Sequence, residues 1–315
     1  MTEPYVRPDV LPFLTFLNAQ PGPKVHEMEV DAARTAMRGM KDLADLPVGE
    51  LAVMRDLTCQ GPDGDIPLRL FDPRADRAPG PAVMFFHGGG FVFGDLDSHA
   101  PICAEIARTL DLPVIAVDYR LAPENRWPAA PDDCEAAARW VAGSPNELGR
   151  RITGLVLTGD SAGGTLTIVT AMALRDVPAV APVLAQWPIY PLVDECPGYQ
   201  SYHDFASGYV LSKDSISYFD DAYRADVAHW RGAPIRADQT GMPPTLVITA
   251  SLDPLRDQGR AYAAATAKAG VPTIYREAVG TVHGFINLRR ALPSAVTDVA
   301  DCLAHLKLMI AEAQR

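Results

Sequence analysis

The sequence predicts a doubly wound α/β fold, a mostly parallel sheet with helices on both faces. Three observations point there. Four short runs, AVMFF (82–86), PVIAVDY (113–119), GLVLTG (154–159) and TLVITA (245–250), are apolar along their whole length, as strands covered on both faces are. Each is followed by a stretch of helical periodicity, and alternating strands and helices build parallel pairs. The 315 residues, 48% hydrophobic and 21% charged, have a globular composition and the length to bury roughly 75% of their unfolded surface in one domain.

Along the chain, a proline-rich start precedes KVHEMEVDAARTAMRGMKDLADLP (24–47), where Val25, Met28, Val30, Ala33, Met37 and Leu43 recur at helical spacing and predict an amphipathic helix. LAVMRDLTCQ (51–60) and IPLRLFDP (66–73) flank the turn GPDGD, which predicts a hairpin and an antiparallel start to the sheet. The four parallel strands follow, with helices expected in SHAPICAEIARTL, PDDCEAAARWVAGS, AGGTLTIVTAMALRD and RDQGRAYAAATAKAG. PTIYREA (272–278) is a last strand, and residues 294–315 a closing helix. From Trp187 to Gln239 the rhythm breaks into aromatics, prolines and short helical pieces, the character of a functional insertion. The expected organisation is a core of 51–186 and 240–315, with 187–239 and the N-terminal 1–50 forming a lid over it.

A net charge of −11 without clustered Lys or Arg argues against a nucleic-acid partner. The five cysteines are scattered and form no C-x-x-C, so buried free thiols are expected rather than disulfides or a zinc site. The N-terminus lacks the basic start and unbroken apolar stretch of a secretory signal, and no segment reaches the ~20 apolar residues of a membrane span. The expectation is a cytoplasmic protein without stable membrane insertion.

Gly159-Asp160-Ser161-Ala162-Gly163 is a G-x-S-x-G sequence between a strand and a helix. Alone it reads equally as a helix start with a serine cap. In this context it places a serine on a sharp turn above the carboxyl edge of the sheet, where ligands bind. Such a serine needs a base, and the base an orienting carboxylate. Asp253 after the 245–250 strand and His283 after the last strand follow in the order Ser, acid, His. Asp257 is the rival acid but falls inside the next helix. His26, His229 and His305 sit in helical stretches, His99 near a helix start and His203 in the insertion, while His87 precedes the serine and belongs to another motif.

That other motif is His87 followed by Gly88, Gly89 and Gly90 at the end of the first parallel strand. Acyl transfer from a serine develops negative charge on oxygen, and preoriented amides must receive it where side chains would obstruct. Gly88, Gly89 and Ala162 are the predicted donors. The glycines match neither G-x-G-x-x-G nor a P-loop, and no metal-binding pattern is present, so no cofactor and no metal are expected.

HGGGFVFG (87–94), DYRLAPENRWPAAPDD (118–133), GDSAGG (159–164), DPLRD (253–257) and HGF (283–285) together resemble the bacterial hormone-sensitive-lipase-like esterases of the α/β-hydrolase superfamily. The resemblance spans roughly residues 80 to 290. It implies an α/β-hydrolase fold with a helical cap, Ser161 as nucleophile, His283 as base and then acid, Asp253 as its partner, and Gly88, Gly89 and Ala162 as the oxyanion hole. It further implies a small-molecule ester substrate, a cap of the N-terminal segment and the 190–235 region, and a homodimer along the last strand. Tyr119, Arg120 and Glu124 of YRLAPE are expected to buttress the site and His87 to anchor its loop. The aromatic residues Trp187, Tyr190, Tyr202, Phe205 and Tyr209 suggest an apolar pocket for short- to medium-chain esters. Amidase, lactonase or carbamate hydrolase activity on the same triad is the alternative, with a non-catalytic ligand receptor beyond it.

Overall fold

The structure is a computed structural model that describes residues 3–315, leaving the first two residues of the N-terminal segment outside it. Its sheet has eight strands in the order β1-β2-β4-β3-β5-β6-β7-β8. β1 (Val53–Gly61) and β2 (Gly64–Asp72) form the hairpin around the Gly-Asp turn, and β2 runs antiparallel to β4 (Val114–Val117). β3 (Gly80–Phe86), β4, β5 (Ile152–Asp160), β6 (Val183–Ile189), β7 (Thr245–Leu252) and β8 (Thr273–Val282) are parallel. This is the α/β-hydrolase architecture.

Side-chain alternation explains why the central strands read as continuous apolar runs. Met84 and Phe86 of β3 point into one core layer with Leu155 and Leu157 of β5, while Val83, Phe85 and Val156 point into the other. The first layer is covered by α4 (Ala129–Ala142), α5 (Ala162–Asp176) and α8 (Arg256–Lys268). The second is covered by α1 (Val10–Ala19), α3 (Ala100–Leu110) and α9 (Ala295–Ala313). With helices on both faces, β3, β4, β6 and β7 have no exposed position, whereas the outer strands β1, β2 and β8 keep residues such as Met54 and Val279 in water.

Three expectations need correction. β6 carries Trp187, Pro188 and Ile189, so the excursion begins after the sheet rather than at Trp187. Gln186 and Pro188 disguise this strand. Gln186 is wholly buried and donates to Thr245 Oγ1 and the Tyr262 hydroxyl, both at 2.9 Å, and Pro188 has no N–H for the ladder to β7. Within the proline-rich start lies α1, whose Pro12 falls in the first turn, where the missing N–H costs nothing. In the N-terminal amphipathic stretch, residues 25–27 form a separate turn and Glu29 is extended before α2 (Val30–Ala44), which shifts the helical phase and leaves Met37 and Leu43 exposed.

Residues 190–239 hold α6 (Gln200–Asp204) and α7 (Lys213–Tyr223) between short turns. Ser212 caps α7 through the Ser215 amide, and His26 Nδ1 lies 3.3 Å from Ser215 Oγ, tying the N-terminal segment to this excursion. All five cysteines are free and buried. Among the described residues no helix is long and apolar enough to cross a membrane, and no metal-competent cluster of His, Cys, Asp or Glu occurs.

Candidate active site

β5 ends at Asp160, α5 begins at Ala162, and Ser161 alone makes the turn with φ 55° and ψ −117°. A side chain in this sparsely populated region persists only because its surroundings over-determine it. They do so through the Ser161 amide, which donates to Ile189 O at 2.9 Å, and through glycine neighbours. A Cβ on Gly163 would lie 1.9 Å from Phe86 O, so only glycine lets α5 start this close to β3.

The loops after β7 and β8 bring two more groups to the same point. His283 Nε2 lies 2.9 Å from Ser161 Oγ, and His283 Nδ1 lies 2.7 Å from Asp253 Oδ2. Asp253 is fully buried, and its other oxygen accepts the Leu255 amide at 2.8 Å. The Tyr190 ring packs on the imidazole at 4.5 Å. Both carboxylate oxygens are thus occupied and the ring is held from one face, which leaves His283 Nε2 directed at the Ser161 hydroxyl. Asp257, the rival acid, is in α8 and accepts from the Ser201 amide at 2.9 Å and from Arg256 and Arg260. It fastens the excursion to the core instead.

The glycine loop requires a correction. The Gly88 amide donates to Asp160 Oδ1 at 2.8 Å, so it is committed and cannot serve as an oxyanion donor. The amides of Gly89, Gly90 and Ala162 have no protein acceptor among the described residues, and Gly90 and Ala162 line the same cavity as Ser161. The amides left without a protein acceptor beside Ser161 are therefore those of Gly89, Gly90 and Ala162, among the described residues. The expected pair of Gly88 and Gly89 thus shifts by one residue, and the signal in the sequence that separates the glycines is the acidic Asp160 before Ser161.

His87 is fully buried, and burial drives its pKa down to about 4, which leaves it neutral. Its Nδ1–H then donates to Gly88 O at 2.8 Å, and its ring stacks on Tyr119 at 4.2 Å, whose hydroxyl donates to His87 O at 2.7 Å. This makes His87 an anchor of the loop. Arg120 pairs with buried Asp133, and Glu124 takes both ends of the Arg34 guanidinium at 2.8 and 2.9 Å. Arg34 also donates to Val92 O and Ala122 O, binding α2 to the segment after the glycines.

Above Ser161 lies a cavity of about 350 Å³ with Phe91, Leu211, Ile216, Phe219 and Tyr223 in its apolar wall. The aromatics expected to form it are elsewhere: Trp187 and Tyr190 are wholly buried in the core, Phe205 and Tyr209 pack into the layer of α1, α3 and α9, and Tyr202 packs with Cys196, Ile216 and Leu255. The helical phase of α7, which the sequence does not display, decides which rings face the cavity.

The chain is similar to known proteins along most of its length. A family described as alpha/beta hydrolase fold matches residues 83–287. Carboxylesterase NlhH of Mycobacterium tuberculosis is 36% identical over 98% of both chains, and Esterase LipI of the same organism is 35% identical over 89% of both. Ethyl acetate hydrolase of Pseudomonas putida is 34% identical over 92% of this chain and 95% of its own. Among solved structures, the hyperthermophilic esterase of the archaeon Pyrobaculum calidifontis superposes with a TM-score of 0.89 at 34% identity, covering 98% of this chain and 99% of that one. A thermostable esterase from Pseudomonas putida superposes with a TM-score of 0.92 at 28% identity, covering 98% and 99%. The chain belongs to the hormone-sensitive-lipase-like family of carboxylic ester hydrolases, within the α/β-hydrolase superfamily.

Proposed function

We propose that this carboxylic ester hydrolase works through an acyl-enzyme on Ser161 and acts on uncharged esters with short to medium acyl chains. The observation that carries the mechanism is the unbroken line of hydrogen-bonding distances from Ser161 Oγ to His283 Nε2 and from His283 Nδ1 to Asp253 Oδ2, at 2.9 and 2.7 Å. Ser161 Oγ attacks the ester carbonyl carbon while His283 Nε2 takes its proton, and Asp253 stabilises the imidazolium through Nδ1–H. The carbonyl oxygen, now anionic, sits against the amides of Gly89, Gly90 and Ala162. His283 returns the proton to the leaving oxygen, the alcohol departs, and the acyl group stays on Ser161. Water then attacks that acyl carbon with His283 again as base, releasing the acid and restoring the serine. This chemistry uses only side chains, amides and water.

The chain-length reading rests on the cavity, whose apolar wall and volume of about 350 Å³ suit a small ester. The relative named for ethyl acetate hydrolysis supports the same end of the scale. The N-terminal segment and residues 190–239 form the cap in this reading, and β8, an edge strand of the sheet, offers the face for a homodimer. The test is turnover of p-nitrophenyl esters from acetate to laurate, alongside an anilide and a lactone. The reading expects a maximum at short chains and weak action on amide and lactone; a preference for either of these overturns it.

A further inference from the structure

We propose that Asp160 and His99 form a second carboxylate–imidazole couple, outside the triad, that positions the oxyanion loop through the Gly88 amide. The proposal rests on the esterase mechanism above but concerns residues that take no part in its proton transfers. Asp160 is 3% exposed and His99 8% exposed. A buried carboxylate is costly unless its oxygens are met by donors, and those of Asp160 are. Oδ1 takes the Gly88 amide at 2.8 Å and faces His99 Nε2 at 3.3 Å, while Oδ2 faces Asn287 Nδ2 at 3.3 Å and the Tyr190 hydroxyl at 3.5 Å. Burial pushes the Asp160 carboxyl up, but His99, the Gly88 amide and His283 outweigh it and hold it below the usual carboxylate range. The Ser98 hydroxyl, 2.9 Å from His99 Nδ1, sets the ring so that Nε2 faces Asp160.

A neutral side chain would fill this space more cheaply, so the charge calls for a use. Three glycines in a row have no side chains to hold them and the largest backbone freedom to lose. An oxyanion hole, by contrast, works only if its amides are already in place when charge develops. Asp160 is bonded covalently to Ser161 and non-covalently to Gly88, so one residue sets the nucleophile and the first peptide of the loop against each other. A Cβ on Gly88 would lie 2.5 Å from Asp160 Oδ2, which shows how closely the loop is drawn onto the carboxylate.

The experiment compares Asp160→Ala, Asp160→Asn and His99→Phe with wild type in kcat and KM for a short p-nitrophenyl ester. It also measures affinity for a boronic acid that forms a tetrahedral serine adduct and for a ground-state amide that does not. Asp160→Ala is expected to lower kcat and boronate affinity by at least about tenfold, with KM and amide affinity within about twofold, because only the transition state uses the hole. Asp160→Asn keeps an acceptor for the Gly88 amide, and Asn287 Oδ1, which has no partner among the described residues, can turn to meet the new amide, so this variant folds and recovers part of the loss. His99→Phe is expected to fall between them. Wild-type kcat and boronate affinity in Asp160→Asn and His99→Phe, or equal losses of boronate and amide affinity, overturn the proposal. Turnover retained by Ser161→Ala in the same assay would instead defeat the mechanism on which it rests.

Discussion

Gly90 meets the ring of Phe219 so closely that a Cβ on the glycine would lie 2.3 Å from the ring carbon Cγ. A glycine of the proposed oxyanion loop and an aromatic of α7 thus share one surface of the cavity. Gly90→Ala should lower kcat by tenfold or more, since it adds this clash to a φ of 61° that costs an alanine about 1 kcal/mol. Phe219→Ala should move the chain-length optimum toward longer esters, and combining it with Gly90→Ala should recover part of the lost kcat. Steady-state kinetics across the ester series reads both effects; a double variant no better than Gly90→Ala would place the glycine's role elsewhere.

Ser161→Ala should reduce ester turnover by about 10⁴-fold or more with an unchanged Tm, because the remaining cavity only binds. Asp253→Asn should approach that loss, since an amide at this position favours the wrong imidazole tautomer. Burst-phase measurements on wild type should show one equivalent of alcohol released before steady turnover, and the absence of an acylated Ser161 in a quenched sample would argue for direct attack by water.

Asp220 lines the cavity, and burial, then Asp221 and Glu195, raise its pKa to about 6. Its neighbours Asp194 and Glu195 are paired with Arg236 at 2.7 and 2.6 Å, whereas no cation lies within 4.0 Å of Asp220 among the described residues. Below pH 6 the group is protonated and neutral, and above it anionic. A permanently charged sulfonated ester should therefore lose ground to its neutral analogue as pH rises from 5 to 7. A change of about fivefold in the ratio of kcat/KM corresponds to on the order of 1 kcal/mol of repulsion in a wet cavity. Taking the ratio cancels the titration shared by both substrates. In Asp220→Asn the ratio should be flat, and a slope that survives this change would exclude Asp220 as its source.

Asp45 and Arg289 form a bidentate pair at 2.8 and 2.9 Å, 2% and 3% exposed, that fastens the end of α2 to the chain after His283. Removing one partner leaves a buried charge unmatched, so Asp45→Ala should cost about 3–5 kcal/mol in urea unfolding. Asp45→Ala combined with Arg289→Met should recover most of it. Equal losses in the single and double variants would mean that the pair contributes by shape rather than charge.

Much of the architecture is legible in one dimension. The parallel strands announce themselves because both their faces are buried, the hairpin because of its Gly-Asp turn, and Ser161, Asp253 and His283 because loops at strand ends carry the groups a serine hydrolase needs, in the order this fold uses. β6 is hidden in the sequence because a buried glutamine and a proline interrupt its apolar run, and only its partners on β7 and α8 explain them.

What local residue type and spacing determine, then, is the kind of fold and the chemical groups offered at its rim. Which amides are free to meet an oxygen and which rings line the cavity are properties of contacts between distant segments. The Gly88 amide is spent on Asp160, 72 residues away, and Trp187 is turned into the core while Phe219 reaches the glycine loop. Hydrogen bonds and packing act over a few ångströms of space whatever the separation along the chain, so those choices become visible only after folding.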